Sequence, residues 1–526
     1  KTNTAESTLC VVDTPIRRMT RFDYNKTDRD LFGDVTQPAN ALPPEEEVAG
    51  FNNQAAALTV SNFLADQYMK IAEGVSERAT ADLAVLQPDC DAATDGEELC
   101  ADRFIEEKGR QAFRRPLTPE ESARLRGLYD FAKADPDMGT HVEGLQLVIQ
   151  AMLQSPHFLY RPEFGGADPV EPGVVRMTDH EMASKLSYML WNTMPDAARF
   201  AASGPRELRT KAQIAAQARR MLEDDRAKDA LRNFHRQWLL LTHLDTASKD
   251  TTIYPAYYDG LRPLWGEEVE AFAEHVILES EGTLSELLTA PYSMMNAELA
   301  TFYGDDVVGT PPAGAEFERV ELDPSHRAGL MTQGGLMAAL AYGNQTSPVH
   351  RGKFVREQLL CQSLPLPPAD LVIVPPELDP TKTTREQFEE INASEECAGC
   401  HALINPVGFG FESLDAVGLW RDEQNGKPID SSGELIATED INGPFNGPVE
   451  LAQKLAASDE VARCVMTQYF RFSYNRTVTQ EDSCNLEPLG EAFRASNYNV
   501  RELLVALTQT DAFLYRRPVV TEGGGQ

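Results

Sequence analysis

Cys397-Ala398-Gly399-Cys400-His401 sets two thiols three residues apart, with an imidazole directly after the second. That spacing is the attachment pattern for a c-type haem. The thiols would form thioethers with the haem vinyl groups, and His401 would be the proximal iron ligand. Other chemistries use the same atoms: a redox dithiol, a plain disulfide or half of a zinc site. Zinc needs two more ligands at compatible spacing, but there is no second C-x-x-C and no histidine after His401. A thioredoxin-like dithiol needs a βαβ setting, and the surrounding sequence reads as helical. The cofactor expected is one covalent haem c.

The sixth iron position decides between electron transfer and oxygen or peroxide chemistry. Small cytochromes usually take a methionine from a loop before the last helix. The corresponding stretch here, residues 422–450, contains neither Met nor His. Met466 is the one methionine after the motif and is the first distal candidate. His350 is a weaker one, with Met331 and Met337 beside it in sequence. Trp420 and Arg421 follow the motif closely and are expected at the haem edge, with Arg421 near a propionate. Trp191, Trp238 and Trp265 read as packing residues, and His157 and His235 as core histidines. Glu267, Glu268, Glu274 and Glu279 read as helix-surface charges. No Ser–His–Asp signature, P-loop or dinucleotide fingerprint is present, so no catalytic residue is assigned.

The elements that must position these groups are mainly helices. Thr118-Pro119-Glu120-Glu121 is a capping box with proline at the first helical position, followed by Leu125, Leu128, Tyr129 and Ala132 on one face. Thr178-Asp179-His180-Glu181 opens a helix running through Leu186 and Leu190. Thr384-Arg385-Glu386-Gln387 opens another, with Phe388 and Ile391 inward, and leads into the haem motif. Asn499-Val500-Arg501-Glu502 opens a fourth, with Leu503, Leu504 and Leu507 inward. Strand-like alternation is scarce, so the fold class is mostly α.

An internal repeat runs through this pattern. Residues 151–161 (AMLQSPHFLYR) echo 506–516 (ALTQTDAFLYR), with six of eleven positions identical. Residues 110–120 echo 471–481, at a nearly equal offset. One helical module is therefore expected twice, with C-x-x-C-H before the second copy only. The expected organisation is an N-terminal haemless helical module (1–165) and a central helical domain (166–363). A proline-rich spacer (364–380) and a C-terminal cytochrome-c-like haem module (381–526) follow.

Composition narrows the partners. The chain has 526 residues and a formal net charge of −34, which argues against nucleic acid. No run of about 18 apolar residues predicts a transmembrane segment. The chain begins with Lys1 and shows no secretory hydrophobic region, as expected of an exported protein whose signal peptide is absent from this chain. Of eight cysteines, two are assigned to haem, leaving Cys10, Cys90, Cys100, Cys361, Cys464 and Cys484. An even remainder fits disulfides in an oxidising compartment, periplasmic or extracellular. Local spacing favours Cys90–Cys100 and Cys464–Cys484, with Cys10–Cys361 left over.

Several stretches resemble a known architecture. Residues 21–33 (RFDYNKTDRDLFG) look like the N-terminal domain of large secreted proteins of unknown function, best known from planctomycetes. Residues 112–118 resemble their second domain. Residues 155–160, 185–192 and 346–353 resemble the long central domain. Cys397–His401 with Ile404–Arg421 resembles the C-terminal cysteine-bearing domain, and Arg463–Arg476 the closing one. The resemblance implies an exported, cytochrome-linked protein and supplies no reaction. The function expected is electron transfer with a redox partner protein or a small-molecule donor or acceptor. The alternatives are a haem-dependent oxidase or peroxidase with an open distal site, and a non-catalytic surface or assembly protein with a structural haem or disulfide.

Overall fold

The computed structural model describes residues 9–12, 15–196, 208–365, 376–392 and 395–518, without the side chains of residues 395–398. The chain is mostly α-helical, and its strands are two to four residues long in sheets of two or three. Most of the proline-rich spacer, residues 366–375, lies outside the described residues.

Two compact units form, each from separated stretches of chain. The first comprises Lys1–Ala230, Arg471–Glu487 and Val505–Gln526; the second comprises Leu231–Phe470 and Pro488–Leu504. In the first unit, one core gathers Met19, Tyr24, Phe104, Leu145, Val148, Met152 and Phe158. The helices Asn62–Ala79, Glu97–Phe113 and His141–Gln154 supply just over half of its residues. The Thr118 and Thr178 capping boxes form as the sequence indicates, each closed by a glutamate at the third helical position. Such reciprocal bonds satisfy two N–H groups that a helix start otherwise leaves without partners.

The repeated sequence blocks adopt matching local structure. Helix Glu97–Phe113 ends at Arg114, and helix Asp459–Tyr474 ends at Asn475; both ending residues are left-handed, at φ 56° and 53°. Arg115 then pairs with Glu121 at 2.8 Å, as Arg476 pairs with Asp482 at 2.5 Å. Thr118 and Thr479 cap the next turn in the same way. Each copy closes with a four-residue helix and a two-residue strand, Pro156–Arg161 in one and Asp511–Arg516 in the other. Arg114 Nη2 donates to the carbonyls of His157 and Phe158 at 2.7 and 3.0 Å. In the other copy, the equivalent carbonyls of Ala512 and Phe513 receive Lys185 Nζ at 3.1 and 3.2 Å.

The structure corrects several expectations. Cys90 pairs with Cys100 as expected, but Cys10 pairs with Cys484 and Cys361 with Cys464. Spacing misleads because Cys464 lies within helix Asp459–Tyr474 and faces Gln358, whereas Cys484 lies in the first turn of helix Ser483–Ala495 and bonds to Cys10. Ile391, at the end of its helix, is 54% exposed, although Phe388 is buried. His157 is no core residue: its ring is 41% exposed, between Arg115 and Glu121. Glu268 is fully buried, and Glu274 is buried against Arg232.

Candidate haem site

The motif does not close the capped helix before it. Thr383 caps helix Thr384–Ile391, which ends at Asn392. A second helix, Glu395–Phe409, carries the cysteines and histidine. On its 3.6-residue period, positions 397, 400, 401, 404 and 408 form one stripe. The side chain of Cys397 lies outside the described residues. Cys400 is a free, half-buried thiol, while six other cysteines are taken up in three disulfides. Among the described residues, Cys400 and His401 gather no third histidine, cysteine or carboxylate as a metal would require. The one such three-residue group, Cys90, Asp95 and Cys100, has both sulfurs in a disulfide.

His401 Nδ1 lies 3.0 Å from Oδ1 of Asn405, one turn further along the helix. With the amide oxygen accepting, Nδ1 carries the proton and Nε2 is left with its lone pair. This bond fixes both the ring orientation and the tautomer that a metal ligand needs. Among the described residues, the free thiol of Cys400 and the oriented imidazole of His401 are the donor types that a covalent haem c would use. Asn405 was not recognised as a functional residue from sequence, although its i, i+4 spacing from His401 on a helix was there to be read.

Two glycines let the motif helix approach helix Pro348–Phe354. A Cβ on Gly352 would run into the carbonyl of Ile404, and one on Gly408 into that of Pro348. The helices therefore cross antiparallel at backbone contact. Arg351, fully buried, donates to the carbonyls of Phe411, Leu414 and Asp415 at 2.7–2.8 Å and fixes the turn that follows. Glu412 accepts from Thr346 Oγ1 at 2.9 Å and Arg421 Nη2 at 3.0 Å. The stretches 346–353 and 404–421 are thus one packed knot.

The other candidates are distributed around this knot. Arg421 is occupied by Glu412. Trp420 stacks on His326 at 3.9 Å and donates to Asp422. His350 sits on the side of its helix away from Pro348 and Gly352, with its ring against Tyr342. Burial, with Lys353 and His243 nearby, lowers its pKa and keeps it neutral. Met466 is buried in helix Asp459–Tyr474, with its sulfur beside Gly490. Met331 and Met337 are core residues. The structure joins Cys400, His401 and Asn405 on one helix and gives Met466 and His350 other neighbours. The stretch 422–450 folds into two β-hairpins, closed by pairs such as Gln424–Lys427 and Leu435–Gly443.

The molecule is thus a mostly helical, disulfide-stapled, multi-domain protein with a C-x-x-C-H helix. Five family models match it in succession, each described as a protein of unknown function. They are DUF1587 over residues 17–81, DUF1595 over 100–163, DUF1592 over 177–304, DUF1588 over 327–424 and DUF1585 over 443–513. These are the domains of the planctomycete-type multi-domain architecture. The DUF1588 model, labelled PSCyt3, spans both halves of the knot around the motif. No curated protein and no solved structure matches the chain.

Proposed function

We propose that this chain is an exported monohaem c-type cytochrome that transfers electrons to or from a redox partner. The observation that carries the reading is His401, held by Asn405 with Nε2 left as the ligand atom, one residue after the free thiol of Cys400. Cys397 and Cys400 would hold the haem, and His401 would ligate it. When bound, the group supplies one-electron exchange between ferric and ferrous iron. The chain's own part is to fix the imidazole, anchor the following turn through Arg351 and shield the helix crossing from water. Three disulfides fit maturation in an oxidising compartment. Among the described residues, no helix is long and apolar enough to cross a membrane.

A second reading, an oxidase or peroxidase with an open sixth position, is favoured by the neighbours of Met466 and His350. The reduced, matured protein separates the two. A low-spin spectrum unchanged by carbon monoxide supports electron transfer; a high-spin spectrum that shifts with carbon monoxide supports the open site.

A further inference from the structure

Among its described residues, the first unit buries a cluster of cations in which positive groups outnumber the facing carboxylates. Arg17 and Arg161 are direct cross-strand partners in a two-stranded antiparallel ribbon. Like charges in that register repel. Arg17, Arg161, Lys185 and Arg516 are all at most 8% exposed. Arg114 lies beside them, bonded to the carbonyls described above. Among the described residues, two carboxylates are seen to face these cations. Glu163 reaches Arg17 at 3.4 Å, Lys185 at 3.4 Å and Arg516 at 3.0 Å. Its pKa is held at about 2, so it is ionised: burial pushes it up, but Arg17, Lys185 and the neighbouring arginines pull it further down. Asp23 lies 3.8 Å from Arg161, but its oxygens already receive the Thr20 N–H and the Asn192 amide.

Aromatic rings take up part of the surplus. Tyr188 lies under Arg161 at 4.5 Å, and Tyr474 and Phe513 flank Lys185 at 5.6 and 4.9 Å. Burial brings Lys185 down to about 7, so it can shed its charge. The guanidinium groups cannot do so at neutral pH. Their N–H groups remain: Nε of Arg17 and Nε of Arg161 are buried and donate to no acceptor, while Arg17 Nη2 faces the Glu163 carboxylate at 3.4 Å. The Nε and Nη2 edge of an arginine is the fork that grips small anions.

We infer that Arg17 and Arg161 form a binding site for a small monovalent anion, of halide or formate size. The anion would hold the strand of Arg17 to that of Arg161, at the end of one repeat copy. Glu163 would link it to Arg516, at the end of the other.

The test is unfolding of the full chain at fixed ionic strength, with gluconate replaced stepwise by chloride, bromide, formate or sulfate. The expected result is a saturable rise in midpoint with halide or formate, about 3 °C or more at tenfold over half-saturation. Sulfate should give little or none. Arg17→Gln and Arg161→Gln should abolish the dependence. Equal midpoints in all anions, or a dependence kept by both variants, would overturn the site. Should the variants not fold, bromide-soaked crystals decide. An anomalous peak beside Arg17 Nε and Arg161 Nε supports the proposal. Peaks at the surface alone mean an adventitious ion only and refute it.

Discussion

His401 and Asn405 show how one hydrogen bond orients a ring that the sequence motif singles out. The motif residues were legible because two thiols and an imidazole at that spacing serve few chemistries. Asn405 went unread because an amide one turn away gains meaning only when its oxygen is seen on Nδ1. Glu268 was misread for a related reason. Its helix pattern is charged, but the side chain is buried and accepts from Ser293 at 2.9 Å and Tyr303 at 2.6 Å. Burial raises its pKa from 4.5 to about 7, against the pull of those hydroxyls. The folded state then binds this proton more tightly than the unfolded one. Stability should fall as pH rises through the window from 4.5 to about 7. Glu268→Gln keeps an accepting oxygen and removes the titration. Urea midpoints of the variant should be flatter across that window, with the wild type losing up to roughly 3 kcal/mol more. Parallel curves for the two proteins would refute this.

At the scale of elements, helix starts were readable because capping boxes are local: a threonine and a glutamate three residues on satisfy each other's backbone groups. The repeat was readable for the same reason, since its left-handed turns and ion pairs recur with the sequence. What was not legible is the crossing of helices Pro348–Phe354 and Glu395–Phe409. Gly352 and Gly408 are separated in sequence by the proline-rich spacer, and nothing local marks them as facing backbones. Their role yields a sharp expectation. Gly408→Ala must push the Pro348 carbonyl away and should cost roughly 3 kcal/mol, read by thermal or urea unfolding. Gly399→Ala is the control. An added Cβ there meets nothing, and the expected change is under about 0.5 kcal/mol. Equal effects at both positions would show that the helices do not meet at Gly408.

Over the whole molecule, long-range pairing is where sequence said least. Helical class and the exclusion of Cys400 from the three disulfides could be read, because both follow from local pattern and parity. The partners of Cys10, Cys361, Cys464 and Cys484 depend on which distant segments meet. Cys10–Cys484 joins residues 474 apart within the first unit. Replacing both by alanine should destabilise that unit by up to about 5 kcal/mol through the unfolded chain. Proteolysis with intact-mass readout would then show cleavage within the first unit at denaturant levels the parent survives. Covalent haem on the motif is what the proposed function stands on. The direct measurement is the mass of the denatured protein, matured by a c-type export system, together with its pyridine haemochrome spectrum. The expected result is a mass raised by one haem and a c-type spectrum, both lost in the Cys397→Ala, Cys400→Ala double variant. A denatured wild-type chain with the bare polypeptide mass and no haemochrome would contradict it.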